Sequence, residues 1–143
     1  MITIEISDQL LIRTVLPSDW EDLLRLGGEK VDLAFPLNPS DFLLVVEQEN
    51  QLVGFIWLSE EETTHEIRHL EVASDHQGQG LGTLLLAVAK EIASQKGKGL
   101  ELISPERLLS YFRCNAFIDV AEIALAEEPS YRMIWPLVTD KKE

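Results

Sequence analysis

The sequence predicts a mixed α/β fold in one domain spanning residues 1–143. Three observations carry that prediction. Apolar runs of strand length are interspersed with segments of helical period, in the order β-α-(α)-β-β-β-α-β-α-β-β, which is neither a helical bundle nor a doubly wound βαβ array. A strand leads through a glycine-rich turn directly into a helix near residues 70–83. The 45% hydrophobic content is enough to bury a core without disulfide or metal staples.

Leu10 to Val15 reads as a strand, and Pro17-Ser18-Asp19 opens a helix through Leu26 whose stripe is Trp20, Leu23, Leu24 and Leu26. Gly27-Gly28 ends it, and the stretch to Ser40, with Pro36 and Pro39, reads as irregular with room for one short helix. Phe42 to Glu47 and Leu52 to Leu58 form a hairpin around Gln48-Glu49-Asn50-Gln51. Glu66 to Ala73 is a third strand, whose alternation is broken by Arg68, His69 and Glu71, as happens beside a site. After the glycine turn, Leu81, Leu85, Val88, Ala89 and Ile92 recur at helical spacing until Gly97 and Gly99. Leu100 to Ile103 is a strand. Ser104 is expected to cap a helix with Pro105 at its first position, and Asn115 to end that helix in the left-handed region. Phe117 to Ala126 and Tyr131 to Val138 form a last hairpin, whose exposed edge allows a homodimer.

Twelve basic against 25 acidic residues give a net charge of −13, which excludes a nucleic-acid surface built on phosphate contacts. The acidity is compatible with a cationic acceptor, although solubility alone accounts for it. The N-terminus reads as lacking a signal peptide and no apolar run approaches a membrane span, so a cytoplasmic protein without membrane contact is expected. The single Cys114 excludes an internal disulfide and reads as a small core residue. His65, His69 and His76 do not have the spacing of a metal cluster, so no metal is expected. His69 could instead line an acceptor cleft, and His76 reads as packing.

The turn Gln77-Gly78-Gln79-Gly80-Leu81-Gly82 brings backbone N–H groups and a helix N-terminus to one place, as anion binding requires. Its G-x-G-x-G spacing is not the dinucleotide G-x-G-x-x-G, and it lacks the lysine of a P-loop. It fits Gln/Arg-x-x-Gly-x-Gly/Ala, with Gln77, Gly80 and Gly82 at the defining positions. Here the sequence resembles the GNAT (GCN5-related N-acetyltransferase) family. Ile12-Arg13-Thr14 with Pro17-Ser18-Asp19 resembles the family's opening strand and helix, and Val45-Val46-Glu47 with Leu52-Val53-Gly54-Phe55 its first hairpin. Leu109 to Phe117 resembles its late "FYEKLGF" helix.

The resemblance implies a mostly antiparallel central sheet flanked by helices and, as co-substrate, acetyl-CoA. Leu70, Glu71 and Val72 would pair by their backbone with the pantetheine arm, and Gln77, Gly78, Gln79, Gly80, Leu81, Gly82 and Thr83 would hold the pyrophosphate. Glu66 aligns with a glutamate that serves as general base in histone-acetylating members, and the Leu70 amide with the donor to the thioester carbonyl. An amine acceptor attacking directly in a ternary complex is implied. The alternative is a GNAT-fold module that binds acyl-CoA as a sensor or interaction domain. Three departures stand out. Glutamine occupies both turn positions where the family often has arginine, and Pro105 stands in place of an asparagine that touches pantetheine. The family's tyrosine acid falls on Phe112, which would line the pantetheine tunnel, leaving Tyr111 one residue early and about 100° away around the helix.

Overall fold

The computed structural model describes residues 2–27, 37–125 and 128–137. The stretch expected to be irregular falls mostly on residues 28–36, and Val138 on the C-terminal end, outside the described residues. Eight strands and three α-helices occur among the described residues, with the strands hydrogen-bonded in the order β1-β2-β3-β4-β5-β6-β8-β7. The chain divides into two compact units: Met1–Glu60 with Ile67–Leu85, and Glu61–Glu66 with Leu86–Glu143. Strand β5 (Thr64–Val72) and helix α2 (Leu81–Gln95) run from one unit into the other.

In the first unit β1 (Thr3–Glu5), β2 (Leu10–Thr14), β3 (Asp41–Gln48) and β4 (Gln51–Glu60) form an antiparallel meander. β1 was not legible in the sequence, because a three-residue strand shows no period. The β3–β4 turn is tighter than expected. Only Glu49 and Asn50 lie outside the strands, with φ of 52° and 67°, the paired left-handed residues of a type I′ hairpin. Helix α1 (Trp20–Leu26) lays Leu23 on Leu43, Val45 and Phe55, with Trp20, Leu26 and Trp57 packed around them. Gly27, at φ +136°, ends it as expected.

An ion pair holds the entry to α1. Arg13 donates to both oxygens of Asp19 at 2.8 and 3.0 Å and to Glu47 at 2.9 Å, while Asp19 also accepts from the Leu16 amide at 2.7 Å. The Asp19 side chain is only 9% exposed. The Arg13 hydrogen bonds hold its carboxyl below the usual carboxylate value of 3.8, against the opposing effect of burial. A lowered folded value means the native state binds fewer protons than the unfolded chain. The pair's contribution is therefore complete above about pH 4 and lost as pH falls through the folded value. Asp19→Ala is expected to cost about 3 kcal/mol, the low end for breaking a buried pair, because Glu47 still compensates Arg13. Urea unfolding should show this loss at pH 7 and a flattened stability profile below pH 4.

In the second unit, β5 begins parallel to β6 (Gly99–Pro105), with Thr64 opposite Gly99 and Glu66 opposite Glu101. β6 pairs antiparallel with β8 (Glu128–Trp135), and β8 with β7 (Ile118–Leu125). β8 begins three residues earlier than expected, with Pro129 inside it. Gly99 is required by contact: a Cβ there would stand 2.5 Å from the Trp135 carbonyl oxygen. Gly97 (φ +69°) terminates α2, and the Lys98 amide reaches back to the Ala93 carbonyl at 2.9 Å, the Schellman arrangement.

Three expectations are corrected here. Ser104 does not cap a helix and Pro105 does not open one. Both finish β6, pairing with Tyr131 and Ser130, and Pro105 stays extended at ψ 159°. A residue before proline is biased to extended backbone, so the chain continues as strand before a 3₁₀ turn, Glu106–Leu108, leads into α3 (Leu109–Cys114). Asn115 is not left-handed (φ −99°); Ala116 is, at φ +73°. The Asn115 side chain bonds the Tyr111 carbonyl at 2.9 Å, which holds its backbone near helical and passes the reversal to the next residue. Cys114 is exposed rather than in the core, because Leu109 and Phe112 define the buried side of α3.

Candidate active site

Beyond Val72 the chain turns through a 3₁₀ segment, Ser74–His76, and then through Gln77 to Gly80. Gly78 and Gly80 have φ of +82° and +87°, which side-chain-bearing residues rarely adopt, and nothing lies within 4 Å of where a Cβ would stand on either. The glycines thus answer a backbone requirement and leave open space above the turn. Gly80 accepts the first helical hydrogen bond, from the Leu84 amide at 3.0 Å. Amides at the opening of a helix have no partner inside it and carry the positive end of its dipole. α2 is 15 residues long with no acid in its first turn. Open space, backbone donors and a first helical turn without an acid fit a pyrophosphate. The Gln77 side chain donates to the Val72 carbonyl at 3.0 Å, so it braces the turn against β5. Gln79 and Thr83 are exposed, Gly82 is half-buried and Leu81 is buried beneath them.

Leu70, Glu71 and Val72 are half-buried on β5. Gly54 of β4 lets the strands approach: a Cβ there would meet the Glu71 carbonyl oxygen at 2.8 Å. His69 stacks on the buried Phe55, 5.5 Å between centroids, and its Nε2 lies 2.9 Å from the Glu71 carboxylate. The His76 side chain is mostly buried, and its Nδ1 lies 2.9 Å from the Asp75 carboxylate.

Glu66 is half-buried where the parallel β5–β6 pairing stops, directly opposite Glu101. Two acidic residues therefore stand opposite one another on adjacent strands, and Arg132 of β8 donates to Glu101 at 2.9 Å. The sequence reading missed Glu101. The available signal was an acid inside the otherwise apolar run Leu100–Ile103.

The chain matches the model of the acetyltransferase (GNAT) family over residues 12–114. It belongs to that family. Solved structures share its fold. Nourseothricin acetyltransferase has a TM-score of 0.73 at 21% identity, covering 91% of this chain and 99% of that one. The ribosomal-protein-S18-alanine N-acetyltransferase of Escherichia coli has a TM-score of 0.77 at 16% identity, covering 93% and 97%. Aminoglycoside 6'-N-acetyltransferase, solved with coenzyme A, has a TM-score of 0.76 at 16% identity, covering 92% and 99%. No match was found among curated protein sequences. As a GNAT-family acyltransferase the chain carries the expected strand–turn–helix, with Gly78 and Gly80 left-handed in the turn and Gly82 already within α2.

On the late helix Phe112 is buried, edge-to-face with Phe117 at 5.8 Å, while Tyr111 is half-buried. α3 runs from Leu109 to Cys114, entered through the 3₁₀ turn Glu106–Leu108. Among the described residues no group of His, Cys, Asp and Glu could hold a metal, and no helix is long and apolar enough to cross a membrane.

Proposed function

We propose that this protein is a cytoplasmic N-acetyltransferase of residues 1–143 acting as one domain, moving acetyl from acetyl-CoA to a primary amine by direct attack in a ternary complex. The observation that carries this reading is the turn at Gln77–Gly80, with two left-handed glycines, open space above them and a 15-residue helix behind. The amides of Gln77 to Thr83 would take the pyrophosphate. The backbone of Leu70 to Val72 would take pantetheine, and the Phe112 ring would wall its passage. When bound, acetyl-CoA supplies an acetyl group on a thioester, activated toward an amine. Glu66 accepts the amine's proton, directly or through water, and the Leu70 amide donates to the carbonyl oxygen as it gains charge. No phenol is needed, since a thiol with pKa of about 8.5 leaves well as thiolate. A homodimer would use β7, the last strand of the sheet.

Thiol release from acetyl-CoA across a panel of amines, amino acids, polyamines and N-terminal peptides tests the reading. Turnover with at least one amine is expected. Tight acetyl-CoA binding without turnover on any acceptor would favour the acyl-CoA sensor instead, a reading supported by the glutamines at both arginine positions of the turn.

A further inference from the structure

We propose that the Glu71 side chain binds a positive charge on the acceptor, so that the preferred substrate is an amine carrying a second cationic group. This rests on the acetyl-transfer reading above. Three features of the first unit build the carboxylate into a site. Gly27, at the end of α1, leaves the space it occupies: a Cβ there would stand 3.1 Å from Oε1, and the φ of +136° already excludes most other residues. Gly54 lets β4 close on the Glu71 backbone, fixing the strand from which the side chain projects. His69 holds Oε1 at 2.9 Å, and is itself held by its stack on the fully buried Phe55.

A glutamate loses substantial rotamer freedom when it engages a ligand, and here the contact with the His69 imidazole, in the space that Gly27 leaves, has already imposed part of that restriction. The carboxylate has about four acceptor positions, of which the imidazole takes one. Glu71 is 31% exposed and His69 22%, so the remaining positions reach solvent from a partly desolvated setting where a cation is favoured over water. Among the described residues no lysine or arginine pairs with Glu71; its side-chain partner is the His69 imidazole, at hydrogen-bond distance. Placement sets the class of ligand. Glu71 follows Leu70, the residue expected to hold the acetyl carbonyl, so the second charge would lie within about two strand rises, ~7 Å, of the reacting amine. A spacer of a few methylenes spans that distance. The net charge of −13 draws such a dication toward the protein.

The test compares putrescine with n-butylamine, equal in chain length and differing in the second charge. The wild type is expected to favour putrescine by tenfold or more in kcat/KM. Glu71→Gln, which keeps the shape and an acceptor for His69, should reduce that preference at least tenfold through KM, and Glu71→Asp should retain most of it. A purely structural role would lower both amines together and leave the ratio unmoved. An unchanged ratio in folded Glu71→Gln, or no preference in the wild type, overturns the proposal. Should Glu71→Gln fail to fold, His69→Gln replaces it, with a smaller fall of the same ratio expected and an unchanged ratio overturning the proposal. Acetyl-CoA bound with neither amine acetylated overturns this inference alone; no acetyl-CoA binding overturns the parent reading with it.

Discussion

Gly80→Asp is expected to lower acetyl-CoA affinity by about two orders of magnitude while the protein remains folded. Nothing lies within 4 Å of the position a Cβ would take, so the variant meets no clash, and its folding cost is the left-handed backbone at φ +87°, about 1–2 kcal/mol. An aspartate at this place stands at the mouth of α2, where its carboxylate takes the amides that would hold phosphate and repels the ligand's charge. Two unit charges about 5 Å apart at an effective dielectric of 20 repel by roughly 3 kcal/mol, which is the two orders of magnitude. Gly80→Ala separates the causes, since it carries the strain without the charge and should lose far less. Calorimetry on both variants checks this, and unchanged affinity in a folded Gly80→Asp protein would move the cofactor away from Gln77–Thr83.

Glu66→Gln is expected to lower kcat about 10²-fold, the scale of a lost general base, with acetyl-CoA affinity little changed. The substitution preserves size on β5 and removes the proton acceptor. It also leaves Glu101, opposite Glu66 and paired to Arg132, as the nearest other carboxylate on the neighbouring strand. A pH–rate profile is the informative measurement: the acidic limb of the wild-type profile should vanish in the variant. A rate within a few-fold of wild type across the pH range would make Glu66 a structural acid.

Much of this molecule was legible in one dimension because its signals are local. The glycine turn is a backbone requirement written in residue type. Gly78 and Gly80 sit at φ values that a side chain disfavours, and the helix that follows shows its own stripe at Leu81, Leu85 and Ala89. The hairpin of β3 and β4, the termination of α1 at Gly27 and of α2 at Gly97, and the family match over residues 12–114 belong to the same class. Misreadings occurred where two local rules competed. Proline can open a helix or finish a strand, and at Pro105 the pairing of β6 with β8 decided for the strand. Asn115 can adopt the left-handed form, but its side chain found the Tyr111 carbonyl and the reversal moved to Ala116.

What the sequence by itself determined was the family, the order of the described elements from β2 onward and the glycine turn between β5 and α2, since each depends on residues within a few positions of one another. Only the tertiary structure decided which carboxylates acquire neighbours. Glu101 opposite Glu66, Arg132 across Glu101, and Gly27 and Gly54 against Glu71 are juxtapositions over tens of residues. They are set by strand register and by the close approach that glycine permits, and neither is encoded in the spacing of the residues concerned.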